Sequence, residues 1–583
     1  MITATPPVSR FYFVQYHPDG PLYVGDLVSL EVIPPPGTDM EGRSVRVEFD
    51  AFQEIKSVEE KFSHFGIGGR SQATLQWIWN TSGLTAGEHT LTFSILPEGP
   101  TWRETVFLSP HGQAPPPEPY ARWVSTESDC CLVYYISGTS VERDLSGLLE
   151  VLDKHAEETI QQLGANLSET MTVTFLPRVL GHGGFASQGI AVSYLDRNYA
   201  GGNPATILHH ELVHILDSRL GGELRPTIFI EGLAVYFSGG HFKPETLMPR
   251  AAALLPPIVG CTPWTSSVEW VPSTSEAVGC GLGQFIDFAS LIDDFYLKQH
   301  EAGYLEAGAL IEFMVETWGW EDFSKFYRDI HAQPELPEGF QAMNGDQYRA
   351  INAALVAHFG ITLEQLEKRF LFALSQEKFT PFDSEDVRLT VLFYDSIRRY
   401  QQLLDPSAYF LTAWLPDVEQ MQKSGIVADY LRRPAKIENL ALESMFVTAN
   451  ANLLNGKYDL AANTLEAANA VMDLYPSNGN QAFATHPLAA DYLALVEAVT
   501  SEGFTPERIQ IERETARVWA SKSGSTLSEL FYVRNQEGWV LKNEVETLSV
   551  GSDLDKSLRY GQFHNQLNKV SNGGSQYKSS VSN

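Results

Sequence analysis

The chain has no run of 18 apolar residues, so no membrane-spanning helix is expected. Its opening, MITATPPVSRFYF, has no charged start followed by an apolar stretch, and no export signal is read there. Basic residues are few: 41 Lys and Arg stand against 72 Asp and Glu, for a net charge of −31. Such a chain is repelled by phosphate backbones and anionic lipid, which argues against nucleic-acid and membrane-surface partners. Acidity is also an ordinary route to solubility. Cysteine is scarce, four in 583 residues, with no C-x-x-C spacing, so a structural cysteine zinc site is not expected. Four cysteines allow three complete pairings. Cys130 and Cys131 are adjacent, and adjacent cysteines rarely bridge each other. Cys261 and Cys280 flank a Pro/Ser/Thr-rich loop suited to a disulfide, with four buried free thiols as the competing reading.

The length predicts three or four domains, and 43% hydrophobic with 11% aromatic residues is a globular composition. Residues 1–117 carry period-two segments (10-RFYFVQY-16, 27-LVSLEVI-33, 44-SVRVEFDAF-52, 73-ATLQWIW-79, 89-HTLTFSIL-96) separated by Pro, Gly and Asp turns, which predict a β-sandwich. The stretch 74-TLQWIWNTSGLTAGEHTLTFSILPEG-99 resembles bacterial immunoglobulin-like repeats, and a Pro-rich linker, 110–120, ends the module. Residues 118–380 read as an α+β domain, with strands at 132–138 and 171–177, a helix over 141–164 and an edge strand at 189–195. Residues 258–285 have no clear period and read as a rim or lid over a cleft. Residues 381–548 read as mostly helical: 444–476 resembles a single tetratricopeptide-like hairpin turning at Gly456, and a β-hairpin turning at Glu537–Gly538 follows. That order weakly resembles an NTF2-like cone. The Ser/Asn/Gly-rich tail, 549–583, is expected to be disordered.

The densest chemistry lies in 203-NPATILHHELVHILDSRLGG-222 and 226-PTIFIEGLAVYFSGG-240. Asn203 is placed as an N-cap, Pro204 at the first helical position, and Ile207, Leu208, Leu212, Val213, Ile215 and Leu216 supply an apolar face. Histidines four apart on a helix lie on one face about 6 Å along the axis, near enough to share one ion. His210 and His214 are such a pair. A catalytic zinc keeps a position for water and takes about three protein ligands, and Glu231 is the candidate third, far enough along for an antiparallel helix to return. Glu211, beside His210, stands where a metal-activated water would lie, the position of a general base. A buried helix with incidental histidines is the plain alternative.

HELVH followed by IEGLAVYFSG resembles the gluzincin branch of zinc metallopeptidases, and most closely the peptidase-MA-like domains whose second helix reads xxEGLAxY. The resemblance implies one zinc per chain, His210, His214 and Glu231 as its ligands, Glu211 as catalytic base and a polypeptide substrate. It covers roughly residues 120–380. Within it, 184-GFASQGIAVSYLD-196 resembles the edge strand that hydrogen-bonds the substrate backbone, with Gly189, Ile190, Ala191 and Val192 as substrate-binding positions. Residues 304–319 and 352–370 resemble the helices that close such domains, the latter with Thr362 and Gln365 as a capping box.

Two departures matter. Aminopeptidase-N-like enzymes carry Tyr-Glu-Lys-Gly on the later helix, with an oxyanion-stabilising tyrosine. Alignment on Gly308 puts Leu305 at that place, with Tyr304 one residue earlier as the candidate. Those aminopeptidases also anchor the substrate's α-amine on a glutamate just before the zinc helix, whereas 187-SQGIAVSYLDRN-198 offers no acid until Asp196. An endopeptidase is therefore expected, with an aminopeptidase, its amine held by a rim-loop acid such as Glu269 or Glu276, and an inactive zincin-like binding module as alternatives. Asp217 is read as orienting an imidazole or lying at a surface helix end, Tyr236 as packing beside or bonding to the site, and His209 as packed or behind the ligands. His182 and His241 are oxyanion candidates on loops that otherwise read as exposed. Sparse lysine, the N-terminal module and the Cys261–Cys280 pair suggest an extracellular or cell-surface setting, with a cytoplasmic one as the alternative. Oligomeric state is not legible.

Overall fold

The computed structural model describes residues 12–35, 37–49, 57–65, 70–114, 118–165, 170–179, 183–195, 197–220, 222–265, 277–296, 300–334, 345–405, 418–432, 436–522, 527–536 and 538–546. The tail expected to be disordered lies outside them. No described helix is long and apolar enough to cross a membrane.

The period-two segments form two sheets. Strands β1 (Phe13–His17), β2 (Leu22–Tyr23), β3 (Leu27–Ile33), β4 (Ser44–Phe49), β5 (Ser57–Lys61), β6 (Ser63–Phe65), β7 (Arg70–Asn80), β8 (Gly87–Leu96) and β9 (Thr101–Ser109) pair in the orders β1-β3-β7-β6 and β2-β9-β8-β4-β5. Alternate residues of both sheets, Val28, Leu30 and Val32 facing Val45, Val47 and Phe93, bury into one core. Strand β9 escapes the sequence reading because Arg103 and Glu104 interrupt its alternation. Its Trp102 nevertheless lies between Tyr12 and Phe93, at ring separations of 5.3 and 5.2 Å.

The central region is a five-stranded sheet ordered β10-β11-β12-β14-β13 with helices against it. Strands β10 (Trp123–Glu127) and β11 (Cys131–Ile136) lead into helix α1 (Ser140–Leu163), which crosses to β12 (Met171–Leu176), parallel to β11. Gly164 closes α1 in a left-handed conformation, φ 66°, as its position at the end of the apolar period predicts. Strands β13 (Gly184–Ala186) and β14 (Ile190–Ser193) follow, and here the sequence reading needs correction. Residues 190–193 are not an edge: β14 pairs with β12 on one side and β13 on the other, and Ile190, Ala191 and Val192 are buried. Their backbone groups are already engaged. The edge is the short, more exposed β13.

Then come α2 (Pro204–Leu220), α3 (Thr227–Ser238), α4 (Leu247–Ala252), α5 (Phe288–Asp293), α6 (His300–Trp318), α7 (Trp320–Arg328), α8 (Asp346–Phe359), α9 (Leu363–Gln376) and α10 (Pro381–Leu403). Thr362 and Gln365 form the expected capping box of α9. No linker divides residue 380 from 381. Helix α10 puts Val387 and Val391 into the core beneath α3 and α6, and Leu389, Phe393 and Ile397 into the core of the helices that follow. Among those, 437–454 and 458–478 make the expected hairpin about Gly456, φ 66°. The expected terminal β-hairpin is half of a four-stranded antiparallel meander, β15 (Thr505–Glu512), β16 (Thr515–Ser521), β17 (Leu527–Asn535) and β18 (Gly538–Glu546). Residues 509–521 hold the first turn of that meander, between β15 and β16.

Both cysteine pairs are bridged, Cys261 to Cys280 as expected and Cys130 to its neighbour Cys131, against the expectation for adjacent cysteines. Two buried arginines join the three regions. Arg178 pairs with Asp19 of the sandwich and donates to the carbonyls of Asp429 and Arg432, at 2.9 and 2.7 Å. Arg432 binds both oxygens of Asp26, at 2.7 and 2.8 Å, reaches Glu118 at 2.7 Å and lies 4.7 Å over the Tyr23 ring. A carboxylate left behind in such a site is an uncompensated buried charge, so Arg432→Met is expected to cost about 3–5 kcal/mol. Denaturant unfolding followed by tryptophan fluorescence reads this loss, and an unchanged midpoint would mean that the regions are held together elsewhere.

Candidate metal centre

Helix α2 begins as its sequence predicts, with the Asn203 side chain accepting from the backbone N–H groups of Ala205 and Thr206 at 2.9 and 3.2 Å. Its apolar residues Leu208, Leu212, Ile215 and Leu216 sink into the core shared with α1 and the sheet, while Val213 enters the core with α3 and α6. His210 and His214 are left facing α3. That helix comes in close because Gly232 has no side chain: a Cβ there would stand 2.6 Å from the Ala307 carbonyl oxygen of α6. The neighbouring Glu231 is thereby seated opposite the histidines.

The three donors converge. His210 Nε2 lies 3.0 Å from His214 Nε2 and 3.2 Å from Glu231 Oε2, and His214 Nε2 lies 3.3 Å from the same oxygen. Ligands held tetrahedrally at roughly 2.0–2.2 Å from an ion stand about 3.3–3.5 Å apart, so the triangle fits one face of such a site to within a few tenths of an ångström. All three side chains are at least 85% buried. Both histidine Nδ1 atoms are buried without a hydrogen-bond partner, so the Nε2 atoms have no competing orientation fixed from behind. Two imidazoles and a carboxylate, meeting at one point, suit a divalent ion of intermediate softness.

Electrostatics divide the site. Burial opposes charge on His214, but the Glu231 carboxylate outweighs it and lifts the imidazole to about 9. His210 is pushed down to about 4, by burial first. Glu231 stays well below the usual carboxylate range, burial being overcome by both imidazoles. Glu211 is buried and pushed up to about 7, mainly by its removal from water. Edge strand β13 runs directly over it: a Cβ on Gly184 would be 2.5 Å from Glu211 Oε1.

Around this core the outcome for the other sequence candidates is mixed. Tyr304 is buried beside the centre, its ring stacked 3.7 Å from that of His241 and 6.0 Å from that of His210. His241 is not the exposed loop residue expected: its Nδ1 meets Glu301 at 2.9 Å, and that carboxylate, against the pull of burial, holds it above the usual histidine value. Asp217 orients no imidazole. It is buried, and binds Arg225 and the Tyr327 hydroxyl, the latter at 2.9 Å, so it fastens the end of α2 to α7. Tyr236 packs against Phe237, with rings 5.2 Å apart, and its hydroxyl feels Glu312 and Glu316 rather than the centre. His209 packs against α1 on the far side of α2, as one of its two readings has it, and is pushed down to about 3 by burial and His155.

The described ends of the disulfide-closed loop pack on the C-terminal helices. Gly279 donates to the Phe379 carbonyl, just ahead of α10, and Trp264 packs on Phe382 in the first turn of α10 and on Tyr458 at the start of the helix 458–478. Glu269 and Glu276, in the middle of that loop, lie outside the described residues, as do Asp196 and His182. One site residue went unread: Tyr296 donates its hydroxyl to Glu231 Oε1 at 2.6 Å, orienting the third donor. A lone tyrosine ahead of α6 carries no sequence signal of that role. A scan of the chain against protein-family models finds no match, and a search among curated proteins finds none.

Ion uptake is expected to expel a proton. His214 is protonated below about pH 9 in the ion-free protein, and only the neutral imidazole ligates. Calorimetric zinc titrations at neutral pH, in buffers of different ionisation enthalpy, should show close to one proton released from this group, vanishing as the pH rises past 9. The sign for stability agrees: a raised imidazole stabilises the ion-free fold below its unfolded value near 6.5 and loses that contribution as the pH climbs through about 9. Proton release that does not change across this range would remove the ion pair from the account.

Proposed function

We propose that the chain is a zinc metallopeptidase that cleaves within polypeptides, with His210, His214 and Glu231 holding one zinc ion and Glu211 acting as general base. The observation that carries this reading is the buried triangle of donors with a separate, elevated carboxylate beside it, under the free edge of a strand. A site that only stored or displayed an ion would need the triangle and not the fourth residue. Zinc, when bound there, supplies Lewis acidity to the scissile carbonyl and to the attacking water.

The remaining work falls to the chain. Glu211, with its proton affinity raised to about 7 by burial, accepts the proton of the attacking water and passes it to the leaving amine nitrogen. Strand β13, at the end of its sheet, offers one row of backbone groups along which an extended peptide pairs, and it brings that peptide over Glu211. His241, held by Glu301 and stacked on Tyr304, stands on the His210 side, and this pair is assigned the developing oxyanion. The substrate positions expected at Gly189–Val192 pass to Gly184–Ala186. Tyr296 keeps Glu231 in its ligating orientation.

Internal cleavage follows from charge. Among the described residues 183–195, along β13 and β14, there is no acid, and Glu301 is already engaged by His241. A substrate ammonium beside this strand would be partly desolvated without a counter-charge, whereas an internal segment needs only backbone pairing. The sandwich is assigned as an immunoglobulin-like spacer. Two disulfides and no free cysteine favour an oxidising, extracellular setting.

Replacing Glu211 by Gln should leave zinc uptake at the wild-type level by elemental analysis, since Glu211 is not one of the three converging donors, and lower turnover on a denatured protein substrate about 10³-fold. A variant that stayed active would show that the proton goes elsewhere. Cleavage should also be indifferent to the substrate's N-terminus: a peptide and its N-acetylated twin, compared by mass spectrometry, should be cut at the same internal bonds at similar rates. Loss of cleavage on acetylation would make this an aminopeptidase.

A further inference from the structure

The helix bearing the metal centre has donors on two faces. His209 precedes His210 by one residue and so projects about 100° round the helix, toward α1 and away from the cleft. There it meets His155, with ring centroids 4.5 Å apart, and Glu158, whose Oε2 is 2.9 Å from His155 Nδ1. One donor atom from each of the three lies within 4.8 Å of the others. His155 and Glu158 are three apart on α1 and therefore share a face. His209 is 5% exposed, and its Nε2 is buried with no hydrogen-bond partner. An imidazole that served only to pack would leave that nitrogen's bonding capacity unused at depth, which native proteins rarely do.

We propose that His155, Glu158 and His209 form a second divalent-cation site, for an ion of the zinc class, that clamps α1 to the back of α2. The donor set, two imidazoles and one carboxylate, is that of the first centre. The setting differs. Glu158 is 41% exposed and His155 16%, so the site opens to solvent and water completes the coordination shell. Only His209 is deeply buried, and the two α1 side chains must be ordered on binding, which makes this the weaker and more exchangeable of the two sites. When filled, it ties α2 to α1 at the residue adjoining His210, so the claw is braced from behind without any contact between the second ion and the substrate.

The test uses the full chain, stripped by a chelator and dialysed against rising zinc, with elemental analysis and thermal unfolding read together. The wild type should bind two ions, and its melting temperature should rise in two steps. Glu158→Gln and His155→Gln should each bind one ion and lose the second step, while peptide cleavage at one equivalent of zinc is unchanged. Glu231→Gln should also bind one ion but keep the step that the α1 variants lose, which separates this site from the first. A wild type that stops at one ion, with Glu231→Gln abolishing it, overturns the proposal and leaves the metallopeptidase reading intact. A second ion retained by both α1 variants overturns it as well. Because Glu158→Gln is isosteric and near the surface, it tests the site even if His155→Gln does not fold.

Discussion

Two imidazole nitrogens 3.0 Å apart, with a buried carboxylate oxygen 3.2 and 3.3 Å from them, hold together only with a proton or a cation among them. With neither, lone pairs and an anion would face one another in a medium of low dielectric. In the ion-free chain burial opposes a charge on His214, and the Glu231 carboxylate, acting the other way, favours its protonated form. A dication answers the same demand with more charge. The claw is therefore shaped before any ion arrives, and the fold holds that shape: Gly232 lets α3 lie against α6, Tyr296 turns Glu231, and Asp217 pins the end of α2.

The helical module C-terminal to the site belongs to this frame. Asp386 on α10 receives Lys243 and Arg250, and Arg250 also binds Glu245, so the segment between α3 and α4 is fastened to α10 through a buried ionic cluster. His241 lies in that segment. Tyr394, two turns further along α10 than Asp386, closes on His241 from the other side. Such a cluster is a poor source of net stability, yet it is costly to break and allows few alternative arrangements. The C-terminal module thus forms a wall of the site, and the helical hairpin of residues 437–454 and 458–478 packs against α10 behind it.

What could be read in advance was what depends on near neighbours. The His210, Glu211 and His214 face, the Asn203 cap, the Gly164 stop and the Thr362 box all arise within a few residues of chain, where helical period and capping chemistry decide. Long-range features were not legible. Ile190–Ser193 looks like an edge because it is apolar and glycine-flanked, but a parallel interior strand buried on both faces gives the same apolar run. The true edge is three residues long, as exposed edges tend to be, and too short to show a period. His241 with Glu301, and Tyr296 with Glu231, are pairs 60 and 65 residues apart whose meeting no local pattern encodes. For Cys130 and Cys131, the general rarity of adjacent bridges was set against a specific local arrangement, and the local arrangement prevailed.

The position of Glu211 gathers these constraints into one chemical consequence. Burial raises its proton affinity toward neutrality, while the cationic His214 lowers it. Exchanging the His214 proton for a dication strengthens the lowering influence and favours the carboxylate, the form that can accept a proton. Burial acts in the other direction throughout, and this balance is what the proposed role of general base draws on. Gly184 keeps this balance workable. Any side chain there would press on the carboxylate from the strand above, so the substrate-facing edge and the base can approach each other only where the strand carries glycine. The same close approach that shields Glu211 from bulk water would, in the proposed reading, set it against the backbone of a peptide lying along β13.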